Sequence, residues 1–343
     1  MRSVSIALTT RNGEKYLRAQ LDSLAHQTQL PVELIVSDDA STDDTKAIIA
    51  DFARHAPFPV HLHENERRLG YRQNFMQAVG LCKSELVAFC DQDDVWDPRK
   101  LAEMERVFDD PDVYLAFHNA TVINRFGWTY GRLYKARSGI EVSAPLGRDP
   151  WIVVPGFTQV FRRQLTRFSF LHGSSSDVYW PKENLAHDQW FYFLASVLGR
   201  IAFFGEPLAR YRQHGNNAFG WYPDTRSILE RALLGQYFIR SAIASSKACC
   251  GILKCMLAAV TGEDEKRILA AIDYYDALHR RLMNRMLIYA SKSLQMRSRA
   301  LYDFARQGGY KAIHGSARFG WKELLVDAHV GVPFGPLARR FFT

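Results

Sequence analysis

Three carboxylates within four positions, Asp91, Asp93 and Asp94, follow the apolar run Leu86-Val87-Ala88-Phe89-Cys90 and stand just before Trp96 and Pro98. Acids so close repel one another unless a positive group sits among them. A divalent cation meets that need: oxygen donors suit Mg²⁺ or Mn²⁺, and such an ion keeps waters and binds substrate phosphates as well. The competing reading is an acidic turn in which Asp94 or Asp97 caps a helix beginning near Pro98. Asp97 is enough for that cap, which leaves Asp91 and Asp93 for metal and nucleotide chemistry.

An apolar run of this kind reads as a strand buried on both faces, with the acids emerging at its C-terminal end. Open α/β sheets bind their ligands at that edge. The segments before it repeat one pattern. Val4–Leu8 is of strand type, Thr9-Thr10-Arg11-Asn12-Gly13 is a polar loop, and Leu17, Leu21 and Leu24 mark a helix. Val32–Val36 is a second strand, followed by Ser37-Asp38-Asp39-Ala40-Ser41-Thr42-Asp43-Asp44-Thr45 and a helix through Ile48, Ile49 and Phe52. Val60–His63 and Phe75–Leu81 complete a third unit. Alternation of strand and helix in short units implies a parallel sheet with right-handed crossovers. The loops that precede the helices then open on the edge that carries Asp91 and Asp93. Neither a Walker loop nor a dinucleotide fingerprint occurs, so a nucleotide bound here has its phosphates neutralised by metal rather than cradled by backbone.

Beyond a helix over Lys100–Phe108, strands are expected at Val113–His118, Ala120–Ile123, Trp151–Phe161 and Arg200–Phe204, with Arg125–Arg148 irregular. An apolar helix begins at Trp190 behind His187-Asp188, and after Trp221 the spacing of Ile268, Ile272, Tyr275, Leu278, Leu282, Met286 and Tyr289 is helical.

The 343 residues are 47% apolar and 23% charged, enough for a catalytic domain and a smaller second unit. Five cysteines without framework spacing point to a reducing compartment, and Cys249, Cys250 and Cys255 lack the fourth ligand of a zinc site. The apolar start is too short for a signal peptide. Ala248–Val260 is too short to span a bilayer, so a soluble or peripheral protein is expected. Of the net charge of +8, the tail supplies the excess: Lys266–Thr343 carries fourteen Lys and Arg against five acids. Such a tail suits an anionic surface, or caps the catalytic domain, or pairs two subunits. No zinc module or nucleic-acid motif supports a nucleic-acid partner.

In order, these segments resemble the family 2 glycosyltransferases, enzymes of the GT-A fold that move a sugar from a nucleoside diphosphate with inversion. The resemblance rests on Thr9-Thr10-Arg11-Asn12, Asp38-Asp39 with Ser41-Thr42-Asp43, Asp91-Gln92-Asp93-Asp94 and His187-Asp188. It covers about the first 215 residues. Asp91–Trp96 together with Tyr211-Arg212-Gln213-His214-Gly215-Asn216-Asn217 is most similar to the rhamnosyltransferase-like branch. The resemblance implies an α/β GT-A catalytic domain over residues 1–220 and a helical, basic region over 221–343.

It implies roles as well. Asp39 accepts from the nucleotide base; Thr9, Arg11 and Asn12 border base and ribose; Arg72, Asn74 and Gln92 contact nucleotide or sugar. Asp93 ligates the metal, with Asp91 on metal or ribose and His214 completing the shell. His187, Arg212 and Trp180 face acceptor or diphosphate, and Asp188 is the base that takes the acceptor proton. The bland readings are turn and helix caps for Asp39 and Asp188, a solvated helix start for Arg72 and Asn74, and core packing for Trp180. The implied partners are dTDP-rhamnose, with a UDP-sugar as the other donor, and a lipid-linked or oligosaccharide acceptor of bacterial surface polysaccharide of O-antigen or capsule type. The expected location is the cytoplasm or the inner membrane face. Two rivals remain: a haloacid-dehalogenase-type phosphohydrolase using Asp91 and Asp93, and a non-catalytic glycan binder.

Overall fold

The computed structural model describes residues 2–135, 138–215, 217, 228–311 and 320–334. Asn216, Trp221, the 220/221 boundary and the tail cations Arg318, Arg339 and Arg340 lie outside the described residues. The chain forms two units. The first comprises residues 1–145, 153–169 and 186–221, and the second residues 146–152, 170–185 and 222–343. Two short segments from within the front part of the chain thus cluster with the C-terminal helices.

The first unit is built on a mixed sheet. Strands β1 (Val4–Thr10), β2 (Glu33–Asp38) and β4 (Leu86–Cys90) are buried along their whole length, as near-continuous apolar runs covered by helices on both faces must be. Strand β3 (Val60–Glu64) is only partly buried and lies at one end of the sheet. Helices α1 (Leu17–Ala25), α2 (Thr45–Ala53) and α3 (Tyr71–Leu81) make the crossovers. Leu17, Leu21 and Leu24 of α1 are fully buried in a core shared with Ile6, Leu8, Leu34, Val36 and Met104. Each such side chain contributes about 1.5–3 kcal/mol by leaving water.

The remaining strands are β5 (Val95–Trp96), β6 (Val113–Asn124), β7 (Thr129–Arg132), β8 (Ile140–Ser143), β9 (Gln159–Arg162) and β10 (Arg200–Gln213). The sheet order is β3-β2-β1-β4-β9-β6-β10-β5, with β7 on β6 and β8 on β10. The sheet is not wholly parallel: β9 runs antiparallel to both β4 and β6, and β5 runs antiparallel to β10. Two reversals restore direction, so β6 runs with β4, and β10 is parallel to β6. The C-terminal ends of β1, β2, β4, β6 and β10 therefore share one edge, which brings residues as distant in sequence as Arg11, Asp39, Asp91, Asn124 and His214 to the same rim.

Several boundaries differ from the expected ones. Val113–Asn124 is one strand, not two, because Asn119 in its middle finds tertiary partners for its amide, donating to Tyr134 O (2.9 Å) and Gly205 O (3.2 Å). The stretch taken as irregular contains β7 and β8, whose exposed residues give no apolar run. Only Gln159–Arg162 of Trp151–Phe161 is strand, and helix α4 covers Lys100–Glu105 before a 3₁₀ turn over Arg106–Asp109. Helix α5 (His187–Leu198) starts three residues before Trp190.

The second unit contains helices α6 (Ile228–Leu257), α7 (Glu263–Ala290), α8 (Leu294–Arg306) and α9 (Trp321–Val326). The expected stripe on α7 is present, with Ile268, Tyr275, Leu278, Leu282 and Tyr289 buried. Arg285 joins it, held by Asp327 (2.7 Å) and Glu323 (2.8 Å), while the Tyr289 and Tyr310 hydroxyls donate to the same Asp327 carboxylate (both 2.5 Å). Arg297 is also buried and donates to Val332 O (2.5 Å). The tail charge is thus partly spent inside the fold, a correction to a count that treats every cation as a surface group. Among the described residues no helix is long and apolar enough to cross a membrane.

Candidate active site

Gln92 ties the loop after β1 to the acidic loop after β4. Its Oε1 accepts from Arg11 N (2.8 Å) and its Nε2 donates to Arg11 O (3.0 Å). A Cβ on Gly13 would lie 2.3 Å from Gln92 Oε1, so the clamp requires glycine there. The first and second loops are laced in the same way. Asn12 N donates to Ser41 Oγ (2.9 Å), Asn12 Oδ1 accepts from Thr42 N (2.9 Å), and Arg11 Nη1 donates to Asp39 O (2.5 Å). Asn12 and Ala40 both hold positive φ (45° and 57°), a left-handed conformation that costs non-glycine residues roughly 1–2 kcal/mol each. Strain of this kind, held in place by a hydrogen-bond lattice, clusters where loops are shaped for a ligand.

Asp39 is buried and its carboxylate accepts from two backbone amides, Leu69 N (2.5 Å) and Gly70 N (3.0 Å), at the start of α3. Each oxygen keeps a further lone pair. Thr9 is buried at the end of β1. Asn74 is a correction: it is 2% exposed and its amide is consumed by Ser37 and Asn65, so it fastens α3 to β2 rather than meeting solvent-borne ligand. Arg72 lies at the start of α3 with its guanidinium 5.0 Å from the Tyr71 ring.

The acidic loop divides its carboxylates by environment. Asp94 is fully buried, accepts from Arg212 N (2.9 Å) through Oδ1, and has no partner for Oδ2. Burial and the Asp93 and Asp91 charges hold its carboxyl well above the ordinary range. It braces the loop from inside the fold. Asp97 accepts from Arg99 N (2.9 Å) in the turn before α4, so it fixes that turn rather than capping the helix, whose N-cap position is Arg99. Asp93 Oδ2 lies 2.7 Å from His214 Nε2. Arg212 Nε donates to Asp93 O (2.9 Å), and the Tyr16 ring lies against both His214 (4.9 Å between centroids) and the Arg212 guanidinium (4.8 Å). Tyr16, whose hydroxyl is buried without a hydrogen-bond partner, is a site residue that the sequence reading missed.

Asp91 is pushed up to about 8 by burial, then by the neighbouring charges of Asp93 and Asp188. Asp188, in the first turn of α5, is therefore close enough to the acidic loop for its charge to be felt there. Its Oδ1 accepts from Gln189 N (2.8 Å), while the residue preceding the helix is Ala186, so Asp188 is inside the helix rather than its cap. The positive end of the helix favours its ionised form. His187 is a second correction. It is buried, stacked on Phe75 (3.8 Å) and edge-on to Phe89 (4.7 Å), and belongs to the support of α5. A Cβ on Gly156 would come within 2.6 Å of its Nε2, so glycine at 156 makes room for that ring. Trp180 falls in the second unit and is half-exposed.

Beneath the loop lies Lys100, fully buried, its Nζ donating to Phe157 O (2.6 Å) and 3.2 Å from the centroid of the Trp96 ring. Burial lowers it to about 7, against the pull of Cys90, Asp94 and Asp91. Its sequence setting, Pro98-Arg99-Lys100, reads as an exposed helix start and gives no warning of this.

No three His, Cys, Asp or Glu side chains converge in a complete metal cage among the described residues. The donors that do meet are an Asp93 carboxylate touching an imidazole, with an Asp91 carboxyl whose proton is retained because negative charge crowds it. Oxygen and imidazole donors in an incomplete shell fit a Mn²⁺ or Mg²⁺ ion that takes its other ligands from phosphate and water, with Asp91, raised by burial as well as by its neighbours' charge, joining once deprotonated.

The Glycosyl transferase family 2 model matches residues 5–173, from β1 past β9. These residues form a glycosyl transferase family 2 domain. An uncharacterized protein of Mycobacterium tuberculosis is 31% identical to this chain over 233 residues, 66% of this chain and 64% of that relative. The chain thus spans a little under two thirds of the length of that relative. The dTDP-rhamnosyl transferase RfbG of Shigella flexneri is 25% identical over 220 residues, covering 62% of this chain and 73% of RfbG. Among solved structures, S. aureus TarS 1–349 in complex with UDP-GlcNAc superposes with a TM-score of 0.53 at 19% identity, covering 90% of this chain and 93% of TarS. At that identity the likeness speaks for the fold alone, and the fold of the family 2 chain is the GT-A arrangement with a C-terminal helical region.

Proposed function

We propose that this protein is an inverting glycosyltransferase that moves a sugar from a nucleoside diphosphate to a hydroxyl of a glycan acceptor. The observation that carries the reading is the packing of His187, at the start of α5, against Phe89 of β4 (4.7 Å between centroids), which sets Asp188 beside the loop after β4, where its charge is felt at Asp91. Carboxylates brought together from two separate elements supply what direct displacement needs: a pole that manages the leaving group and a base that manages the incoming hydroxyl.

Asp188 takes the acceptor proton as the acceptor oxygen bonds to the anomeric carbon and the bond from that carbon to the diphosphate oxygen breaks. Asp93, Asp91 and His214 are the residues that would hold a divalent cation, which would supply charge neutralisation for the departing diphosphate. Arg11, Asn12 and Thr9 border the nucleotide, with Gln92 fixing the two loops against each other and Asp39 holding the Leu69-Gly70 turn beside them. Arg212 stiffens the acidic loop through its backbone and adds positive potential near the diphosphate. Asp188 gains its efficacy from orientation at a helix start rather than from raised basicity.

A deoxysugar donor, dTDP-rhamnose, is favoured by the likeness to RfbG, and a surface polysaccharide acceptor would place the enzyme at the cytoplasmic face of the membrane. The phosphohydrolase reading is disfavoured because three strand–helix units precede the Asp91-Gln92-Asp93 segment, and the glycosyl transferase family 2 match spans it. The test is nucleotide release from UDP-, GDP- and dTDP-sugars with Mn²⁺ and a glycan acceptor. Turnover of simple phosphate esters with no sugar transfer would refute the reading.

A further inference from the structure

The hairpin joining β6 to β7 displays large aromatic rings at its tip. Phe126 is 69% and Trp128 75% exposed. The tip is not loose. Asn124 Oδ1 accepts from Phe126 N (2.9 Å) and Trp128 N (3.0 Å), Gly127 sits at φ 89°, and Arg210 Nη2 donates to Gly127 O (2.7 Å) from the neighbouring strand. Apolar rings held rigidly in water mark a surface that awaits a partner, and rigidity lowers the ordering cost of binding one.

The same Arg210 lines a cavity of about 850 Å³ in the first unit, within the roughly 300–1,000 Å³ usual for small-molecule clefts. Its ionised lining is balanced: Asp22, Asp97 and Glu206 stand against Arg99, Arg132 and Arg210. A surface built for a polyanion or an anionic bilayer would not carry as many carboxylates as guanidiniums. Carboxylates that accept, guanidiniums that donate and flat rings that stack on C–H faces together suit a neutral ligand rich in hydroxyls.

Topology puts this surface beside the transfer centre. Asn124, where the hairpin begins, is paired with Gln213, and His214 follows. Val95, on the cavity wall, stands two residues beyond Asp93 in the chain.

We infer that the β6–β7 hairpin and the adjoining cavity form a second carbohydrate site, taking a neutral oligosaccharide strand. Resting on the function proposed above, that strand is the acceptor glycan, guided toward Asp188.

The experiment applies the full chain to an array of bacterial surface glycans and to anionic vesicles of phosphatidylglycerol, comparing it with Phe126→Ala/Trp128→Ala and with Arg132→Gln. Thermal melting serves as the control for folding. The expected result is binding of neutral array members by the unmutated chain, weakened at least tenfold in both variants with melting unchanged. Failure of the chain to bind any array member, equal binding by all three proteins, or loss confined to the vesicles would overturn the inference. Nucleotide-sugar turnover by the unmutated chain is read separately, so glycan binding without turnover would remove the acceptor assignment and the function above while leaving the carbohydrate site standing.

Discussion

Asp188→Asn separates the chemical role of this residue from its structural one. The side chain sits in the first turn of α5, and the backbone bond it accepts, Gln189 N to Oδ1 at 2.8 Å, can be made equally by an asparagine oxygen. Removing the charge at the helix start costs stability about 0.3–1 kcal/mol, so the protein should melt close to its usual temperature. Loss of a positioned base costs transfer roughly 10²–10⁴-fold, about 3–5.5 kcal/mol of barrier at 1.36 kcal/mol per decade. A second effect runs in the opposite direction. The Asp188 charge is one of the groups that hold Asp91 up to about 8. A raised carboxyl must lose its proton before it can ligate a cation, so Mn²⁺ affinity of the unmutated protein should climb with pH, steeply below 8 and level above it. In Asp188→Asn that rise should move to lower pH, because one negative neighbour is gone. The assay is therefore paired: Mn²⁺ titration from pH 6 to 9 and single-turnover transfer at saturating donor. Transfer within threefold of the unmutated rate would end the base assignment. An unmoved pH midpoint would show that Asp188 and Asp91 do not share a cleft.

Three further perturbations probe the parts that surround this pair. Asp93→Ala leaves His214 without its 2.7 Å partner and should abolish the Mn²⁺-dependent gain in melting temperature given by UDP or dTDP; a gain equal to that of the unmutated protein would remove Asp93 from the metal shell. Asp39→Ala strips the acceptor from the part-buried Leu69 and Gly70 amides, and at about 1 kcal/mol for each stranded donor, the low end of the range for buried groups, the denaturant midpoint should fall by the equivalent of roughly 2 kcal/mol; an unchanged midpoint would mean that the carboxylate serves ligand alone. Gly156→Ala forces a methyl to 2.6 Å from His187 Nε2 and should destabilise by about 1–3 kcal/mol while slowing transfer, since the displaced ring precedes Asp188; calorimetry and kcat check the two effects together.

What could be read from the sequence was what local chemistry decides. Strands β1, β2 and β4 announce themselves because a strand covered on both faces has to be apolar throughout, and the polar loops behind them fall on one edge by the parallel rule alone. Strands β7 and β8 carry no such mark, since their side chains face water. The antiparallel insertion of β9 is likewise invisible: Gln159-Val160-Phe161-Arg162 is equally compatible with either direction, and only its partners β4 and β6 choose. Yet that reversal is what turns β6 and β10 toward the rim where Asn124 and His214 meet the acidic loop.

The site divides along the same line. Residue type and spacing could nominate Asp91, Asp93, Asp188 and His214, because carboxylates at a strand end and an imidazole in a polar loop have few cheap structural uses. They could not rank Asn74, His187 or Asp94, whose fate depends on which tertiary partner reaches them first: Ser37 and Asn65 claim the first, Phe75 and Phe89 the second, the Arg212 amide the third. Lys100 is the sharpest case. An ammonium at a helix start belongs in solvent by every local rule, yet Lys100 is buried, its Nζ donating to the Phe157 carbonyl and lying over the Trp96 ring, and burial lowers it to about 7. Those partners come from β5 and from the turn before β9, and nothing in Pro98-Arg99-Lys100 itself points to either.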